Sequence, residues 1–507
     1  MKLYKIYIAA FLVLVGTGCK KDFLDVNTNP NALPTATPAY VLANAINTSA
    51  ASLVGVNETG MFWSGHWTQS NGYIISTTLF AYNFTNGDFN YWDGTYDNLY
   101  DYQYVINNAK DANQEFAKGP AKIMQAFNYQ KLVDLYGNIP FSEALKGVDA
   151  LAPKFDDQKA VYEGLITLLD AGIADVKANP IPSAFTASDV LFKGSSSNWI
   201  KFANSLKLRI LMRQSRVSGR DAYIIAELNK TIAEGTGFLT TADAGVNPGY
   251  TPSAGQINPF YDTYGYSETG ARRANNNWPR FTEFTVNSLK NTGDTVRMKR
   301  LMYAAGNEDG ANPGVSLKAE IASNYVGVPF GSSSGFLPAV TSAPGPSVLT
   351  KGAYNKPFII LTAAEVQLNL AEAKQRYASV NLTGTAQSYF EAGVKESYRA
   401  LGATAADATR LLASGVDLVD YTASTDKLKA IAYQKWLALA NFNGLEAWSE
   451  YRKNGFPVTP QSKNYVTDAR RPVRLFYPGS ELGSNGANVN AQGTIDPLST
   501  RIFWDID

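Results

Sequence analysis

Cysteine and histidine are almost absent from this chain. One residue of each kind, Cys19 and His66, occurs among 507. A single cysteine allows no internal disulfide framework. A single histidine leaves too few ligands for the usual Cys/His zinc sites. A Ser-His-Asp or Cys-His centre would have to be built on His66. Paired carboxylates stay open as acid/base catalysts, because they need neither residue. Net charge is scarce too: 45 basic residues against 44 acidic leave +1. That balance offers no electrostatic footprint for nucleic acid and none for an anionic membrane surface.

What the chain has is length, apolar content and aromatic rings. At roughly 100–200 residues per domain, it holds two to four units or one large helical superstructure. Hydrophobic residues make up 45%, enough for a sizeable core, and aromatics 12%, with 29 Tyr, 25 Phe and 8 Trp. Rings beside Asn and other polar groups suit neutral ligands with apolar faces, sugars among them.

The first residues read "MKLYKIYIAAFLVLVGTGC". Lys2 and Lys5 precede an apolar run from Ile6 to Val15, then the small residues Gly16, Thr17 and Gly18. This order is that of a secretory signal peptide over 1–18, and the run is too short to span a bilayer, which takes about 20 apolar residues. Cys19 stands at the cleavage point and resembles a bacterial lipobox cysteine, although Gly16 occupies the usual leucine position. Acylation there would anchor the mature chain, at about 0.8 kcal/mol per buried CH₂. "KKDFLD" follows, similar to the acidic tags that send lipoproteins of Bacteroidetes-type bacteria to the cell surface. Asn, Pro and Thr then mark residues 19–38 as an extended tether.

Beyond the tether the period is mostly helical. Helices are expected over about 97–118, 120–137, 157–178, 198–216, 221–235, 362–378, 385–400 and 425–453. Trp199, Phe202, Ala203 and Leu206 fall on the offsets of a tetratricopeptide first helix, and Ala386 and Phe390 on those of a second. Trp199, Trp436 and Trp448 read as core, and Glu365 and Glu372 as solvated or paired with loops. Residues 39–507 read as one helical unit, with long loop insertions at about 237–282 and 304–356. Residues 55–96 also depart from the helical period.

Five stretches, in order, resemble the SusD/RagB family of outer-membrane nutrient-binding lipoproteins. They are "CKKDFLDVNTNPN", "YGNIPFSEAL" (136–145), "NWIKFANSLKLRILMR" (198–213), "ILTAAEVQLNLAEA" (360–373), and "QKWLALANFNGLEAWSEYRKNGFP" (434–457) with "RLFYPGSELGSN" (474–485). The resemblance implies a mainly α fold, a SusD-like scaffold of tetratricopeptide-like helix pairs with a loop-rich ligand-binding lobe. It implies a lipid-anchored, surface-facing outer-membrane protein with neither catalysis nor a cofactor. Such a protein captures oligosaccharides and delivers them to a TonB-dependent SusC-like β-barrel. The same architecture binding peptides, and a secreted glycoside hydrolase, are the alternatives. The hydrolase would draw on loop acids such as Asp262, Glu268 and Glu283, for which no pairing is visible.

Two segments have a ligand site's composition outside helical periodicity. "FWSGHWTQSNGY" supplies Trp63, His66, Trp67 and Tyr73. "NPFYDTYGYSETGARRANNNWPRF" supplies Tyr264, Tyr266, Arg273, Asn275, Asn277 and Trp278. Family ligand loops tend to come from comparable parts of the chain. Trp63 and Trp67, spaced i, i+4, equally fit one packed helical face. His66 equally fits a hydrogen-bonded loop position. Arg272 and Arg273 suit acidic sugars, peptide carboxylates or the transporter.

Overall fold

The computed structural model describes residues 36–306 and 319–506. The expected signal peptide, Cys19 and most of the expected tether lie outside the described residues. In chain order the main elements are α1 (Pro38–Trp63), β1 (Trp67–Gln69), α2 (Asp93–Asn108), α3 (Lys118–Tyr136), α4 (Gln158–Ala178), α5 (Ser196–Arg213), α6 (Asp221–Ala233) and β2 (Ala244–Val246). Then come α7 (Pro259–Tyr264), β3 (Pro279–Phe281), α8 (Glu283–Asn291), α9 (Thr295–Leu301), β4 (Phe358–Leu361), α10 (Ala363–Arg376), α11 (Ala386–Ala400), α12 (Ala405–Leu412), α13 (Lys427–Leu439) and α14 (Gly444–Asn454).

Local chemistry places the helix starts. Pro38 opens α1, where its missing N–H costs nothing. Side chains of Asp157, Ser195, Thr362 and Asn443 cap α4, α5, α10 and α14 by accepting backbone N–H groups of the first turn. Thr385 and Ser388 form a reciprocal capping box on α11. Consecutive helices pack as pairs: α3 with α4, α5 with α6, α10 with α11 and α13 with α14. One contiguous core runs from Ala39 to Trp504 and includes Trp199, Trp436 and Trp448.

Three expectations about helix extents need correction. The segment 97–118 is not one helix. α2 stops at Asn108, and Asp111 then folds the chain into a turn by accepting the N–H of Asn113 at 2.9 Å. The segment 425–453 is two helices, because Asn443 breaks the run and caps α14. Residues 55–63, grouped by composition with a loop, complete α1. Its glycine at 60 is there for contact: a Cβ on Gly60 would lie 2.1 Å from the Gly444 carbonyl oxygen, so α1 and α14 cross backbone to backbone.

Glu365 and Glu372 are neither solvated nor paired with loops. Both are buried. Arg209 grips Glu365 with Nε and Nη2 at 2.6 and 2.9 Å. Lys435 and Lys453 both contact Glu372 and Glu450, at 2.9–3.0 Å. Arg213 pairs with Glu446. These ions tie α5, α10, α13 and α14 together. Helices buried on nearly every side can carry charge only if it is paired internally.

Two antiparallel two-stranded sheets attach the loop-rich part. β2 pairs with β4, through an irregular step at Ala244/Gly245. β1 pairs with β3 in the register Trp67–Phe281, Thr68–Arg280 and Gln69–Pro279.

Candidate functional site

The β1–β3 ladder joins the two segments singled out in the sequence, although some 200 residues separate them. Beyond β1 the joining continues. Ser70 donates its N–H to the Trp278 carbonyl at 2.9 Å and its hydroxyl to the Asn277 carbonyl at 2.7 Å. The Tyr73 hydroxyl donates to the Ala274 carbonyl at 2.8 Å. A third strip of chain enters through Asn71. Its Nδ2 donates to the Ser332 carbonyl at 2.7 Å, and its Oδ1 accepts the Phe336 N–H at 2.8 Å. Gln69 holds the turn from inside: its Nε2 donates to the Ile74 carbonyl at 2.9 Å and its Oε1 accepts the Ser76 N–H at 3.0 Å. The result is a ridge built from 70–75, 274–278 and 332–340. Exposed on it are Tyr73, Ile74, Asn275, Leu337 and Val340, while Asn277 and Trp278 are half-buried.

The other candidate residues are placed differently. Trp63 is core: its ring meets Trp448 at 4.9 Å, Phe89 at 5.3 Å and Phe84 at 5.6 Å, and its N–H donates to the Leu79 carbonyl. His66 is sealed. It stacks on Trp436 at 4.3 Å. Its Nε2 faces the Trp436 carbonyl at 2.9 Å, an acceptor, so Nε2 carries the proton and Nδ1 accepts from the Ser64 hydroxyl at 2.8 Å. Burial, opposed by that carbonyl, lowers its pKa to about 3. Trp67 is buried and donates its N–H to Asn441 Oδ1 at 3.1 Å. Tyr264 is buried with its hydroxyl on Glu58. Tyr266 is buried under the Lys351 ammonium, 5.6 Å from the ring. Arg273 is taken up by Asp262 and, at 3.4 Å, by Glu268. Core packing won at Trp63, His66, Trp67, Tyr264 and Tyr266, and they offer no ring or nitrogen to a surface ligand. Of the ten, Tyr73, Asn275, Asn277 and Trp278 meet solvent on the ridge.

Sequence reading missed the strip 332–340, which carries no ring-and-amide cluster to mark it. It also missed Glu58, the one charged residue in the 26 of α1. That contrast was a usable signal.

No catalytic arrangement emerges around these residues. Asp262 and Glu268 share one arginine instead of facing each other across a cleft. Gly331–Gly335 spells G-x-S-x-G, but in a loop with no strand before it and no α-helix opening from it, and both nitrogens of His66 are engaged elsewhere. Among the described residues, no group of three or more His, Cys, Asp or Glu could hold a metal ion.

Comparison with known proteins agrees with this architecture. The fold is similar to a chitin-binding SusD homologue from Flavobacterium johnsoniae, with TM-score 0.73 and 21% identity over 92% of this chain and 99% of that one. It is similar to SusD homologues from Bacteroides uniformis (TM-score 0.72, 23% identity, 92% and 100% covered) and Bacteroides fragilis (0.74, 19%, 92% and 99%). No curated protein matches the sequence significantly. The sequence profile of a SusD-like family, described as starch-binding and associating with the outer membrane, matches residues 30–478. The chain therefore belongs to the SusD-like family.

Proposed function

We propose that this protein is a non-catalytic, lipid-anchored receptor at the cell surface that captures oligosaccharides and hands them to a SusC-like TonB-dependent barrel. The ridge carries the reading. Tyr73 and Trp278 offer ring surface for the apolar face of a sugar, and Asn275 and Asn277 offer amides for its hydroxyls. Side-chain donors of Ser70, Asn71 and Tyr73 on backbone carbonyls of the neighbouring segments hold these groups in place before any ligand arrives, which lowers the ordering cost of binding. Family membership and a chitin-binding relative support a glycan as the ligand. Arg273 favours a neutral glycan over an acidic one or a peptide carboxylate, because Asp262 and Glu268 already occupy it.

The leader and Cys19 support anchoring; Cys19→Ser should move the protein from the membrane to the soluble fraction. Titration with neutral oligosaccharides, acidic oligosaccharides and peptides, followed by product analysis, tests the ligand. Saturable binding of a neutral oligosaccharide without chain shortening is expected. Shortened products, or binding of peptides alone, would overturn the reading.

A further inference from the structure

Trp67 also forms part of the wall of a separate cavity of about 200 Å³, between α1, α7 and residues 347–359. The lining is mainly apolar, with Met61, Phe260, Val348 and Phe358 beside Trp67. Its volume is below the roughly 300–1,000 Å³ of drug-sized sites and above the roughly 150 Å³ that admits benzene. Polar groups interrupt the wall, Glu58, Ser347, Lys356 and Asp243 among them. Glu58 is half-buried, and its Oε2 accepts the Tyr264 hydroxyl. The Ser347 hydroxyl is buried without a hydrogen-bond partner. Lys356 Nζ donates to the Ser347 carbonyl at 2.6 Å. Asp243, also in the wall, is already taken by Arg399 at 2.9 Å and by the Ala363 N–H at 2.9 Å.

A carboxylate in an apolar cavity without a cation is costly, and a bound cation removes that cost. Aromatic walls favour a cation as well. Lys356 repels one from the Ser347 end, so a cationic ligand has one orientation available. We propose that this cavity binds a small primary ammonium with an apolar body, its charge on Glu58 and its body against Phe260 and Val348. A free amine and the apolar amino end of a peptide share this chemistry. The site stands apart from the glycan ridge and does not depend on it.

Titration supports the geometry. Burial raises Glu58 to about 7, with the Tyr264 hydroxyl only partly opposing it. The other groups facing it are Tyr264 on α7 and Tyr91 from the segment before α2, both raised by burial and neutral at pH 7, and Lys356 and Asp243 across the cavity. Burial lowers Lys356, so its repulsion fades as the pH rises. Ionisation of Glu58 strengthens ammonium binding as the pH increases through 7, until the ligand itself loses its proton.

The experiment is calorimetric titration of the full protein with phenethylamine and the dipeptide Phe-Gly as the two sources, and phenethyl alcohol as the uncharged control. At least one ammonium should bind and exceed the alcohol, with affinity falling about tenfold per pH unit below pH 7. Glu58→Gln should weaken it about thirtyfold or more and leave the alcohol unchanged. If Glu58→Gln does not fold, the wild-type pH profile decides alone. Equal affinity for amine and alcohol, a flat pH profile, or no saturable binding of any ammonium overturns the proposal. Oligosaccharide binding by the same variant is read separately: its retention shows that the ridge functions whatever the cavity does.

Discussion

Changing Glu372 to Gln removes one of two carboxylates from a buried cluster that holds two ammonium groups. In the native protein Glu372 accepts from Lys453 at 2.9 and 3.0 Å, Lys435 at 3.0 Å, Arg376 at 2.9 Å and the Ser215 hydroxyl at 3.2 Å. After the substitution Lys435 and Lys453 share Glu450 alone, and an amide N–H₂ points at donors. Breaking a buried ion pair from one side costs about 3–5 kcal/mol, and the surviving amide oxygen places this change near the lower end. Adding Lys453→Met restores the charge balance, so the double variant should lose less than the sum of the singles. Urea denaturation of the four proteins at pH 7 measures this. The sign with pH follows from the shifts. Burial raises Glu450, but Lys435 and Lys453 more than reverse that and hold it at about 2; the same two lysines and Arg376 hold Glu372 well down. Their contribution is complete above the unfolded glutamate value of about 4.3 and disappears as the pH falls through the folded values. Asp134 and Glu365, pushed up by burial, act in the opposite direction. Glu372→Gln should therefore cost most at neutral pH and progressively less toward pH 2. A single variant as stable as wild type at pH 7, or strictly additive losses, would refute the account of the cluster.

Gly60→Ala should destabilise by about 1–3 kcal/mol or more, because the added methyl meets the Gly444 backbone instead of a movable side chain; thermal denaturation checks it. Trp63→Ala should cost about 3–5 kcal/mol from the ring cluster around Trp448, and oligosaccharide affinity should be unchanged wherever the variant is folded. Trp278→Ala should show the reverse balance: about 1–2 kcal/mol of stability from the edge contact with Phe62 at 5.3 Å, and a clear loss of oligosaccharide affinity.

Helix positions were legible because their signals are local. Ser195, Thr362 and Thr385 act within one turn of where they stand. The buried charges were not. Glu372 looks like a surface residue of an amphipathic helix until Lys435 and Lys453 arrive from 63 and 81 residues away. The same limit divides the candidate site. Ring-and-amide composition picked out two segments that the fold brings together, and their pairing through β1 and β3 is long-range. Composition does not tell which ring points outward. Trp67 and Tyr73 are six positions apart; one is locked on Asn441 inside, the other lies on the surface. Glu58 was visible as a lone charge in an apolar helix, and what it faces is set by α7 and residues 347–359.

The central claim is that the ridge, and no enzyme centre, is where this protein meets its ligand. Calorimetric titration of a neutral oligosaccharide panel into wild type and Tyr73→Ala tests it most directly. Tyr73 is 39% exposed and makes one side-chain hydrogen bond, to Ala274, so its removal leaves the core intact. The account predicts saturable binding by wild type, at least a tenfold loss in Tyr73→Ala, about 1.4 kcal/mol, at nearly unchanged melting temperature, and glycan recovered at its original length. Undiminished binding by Tyr73→Ala, or glycan recovered in fragments, would contradict it.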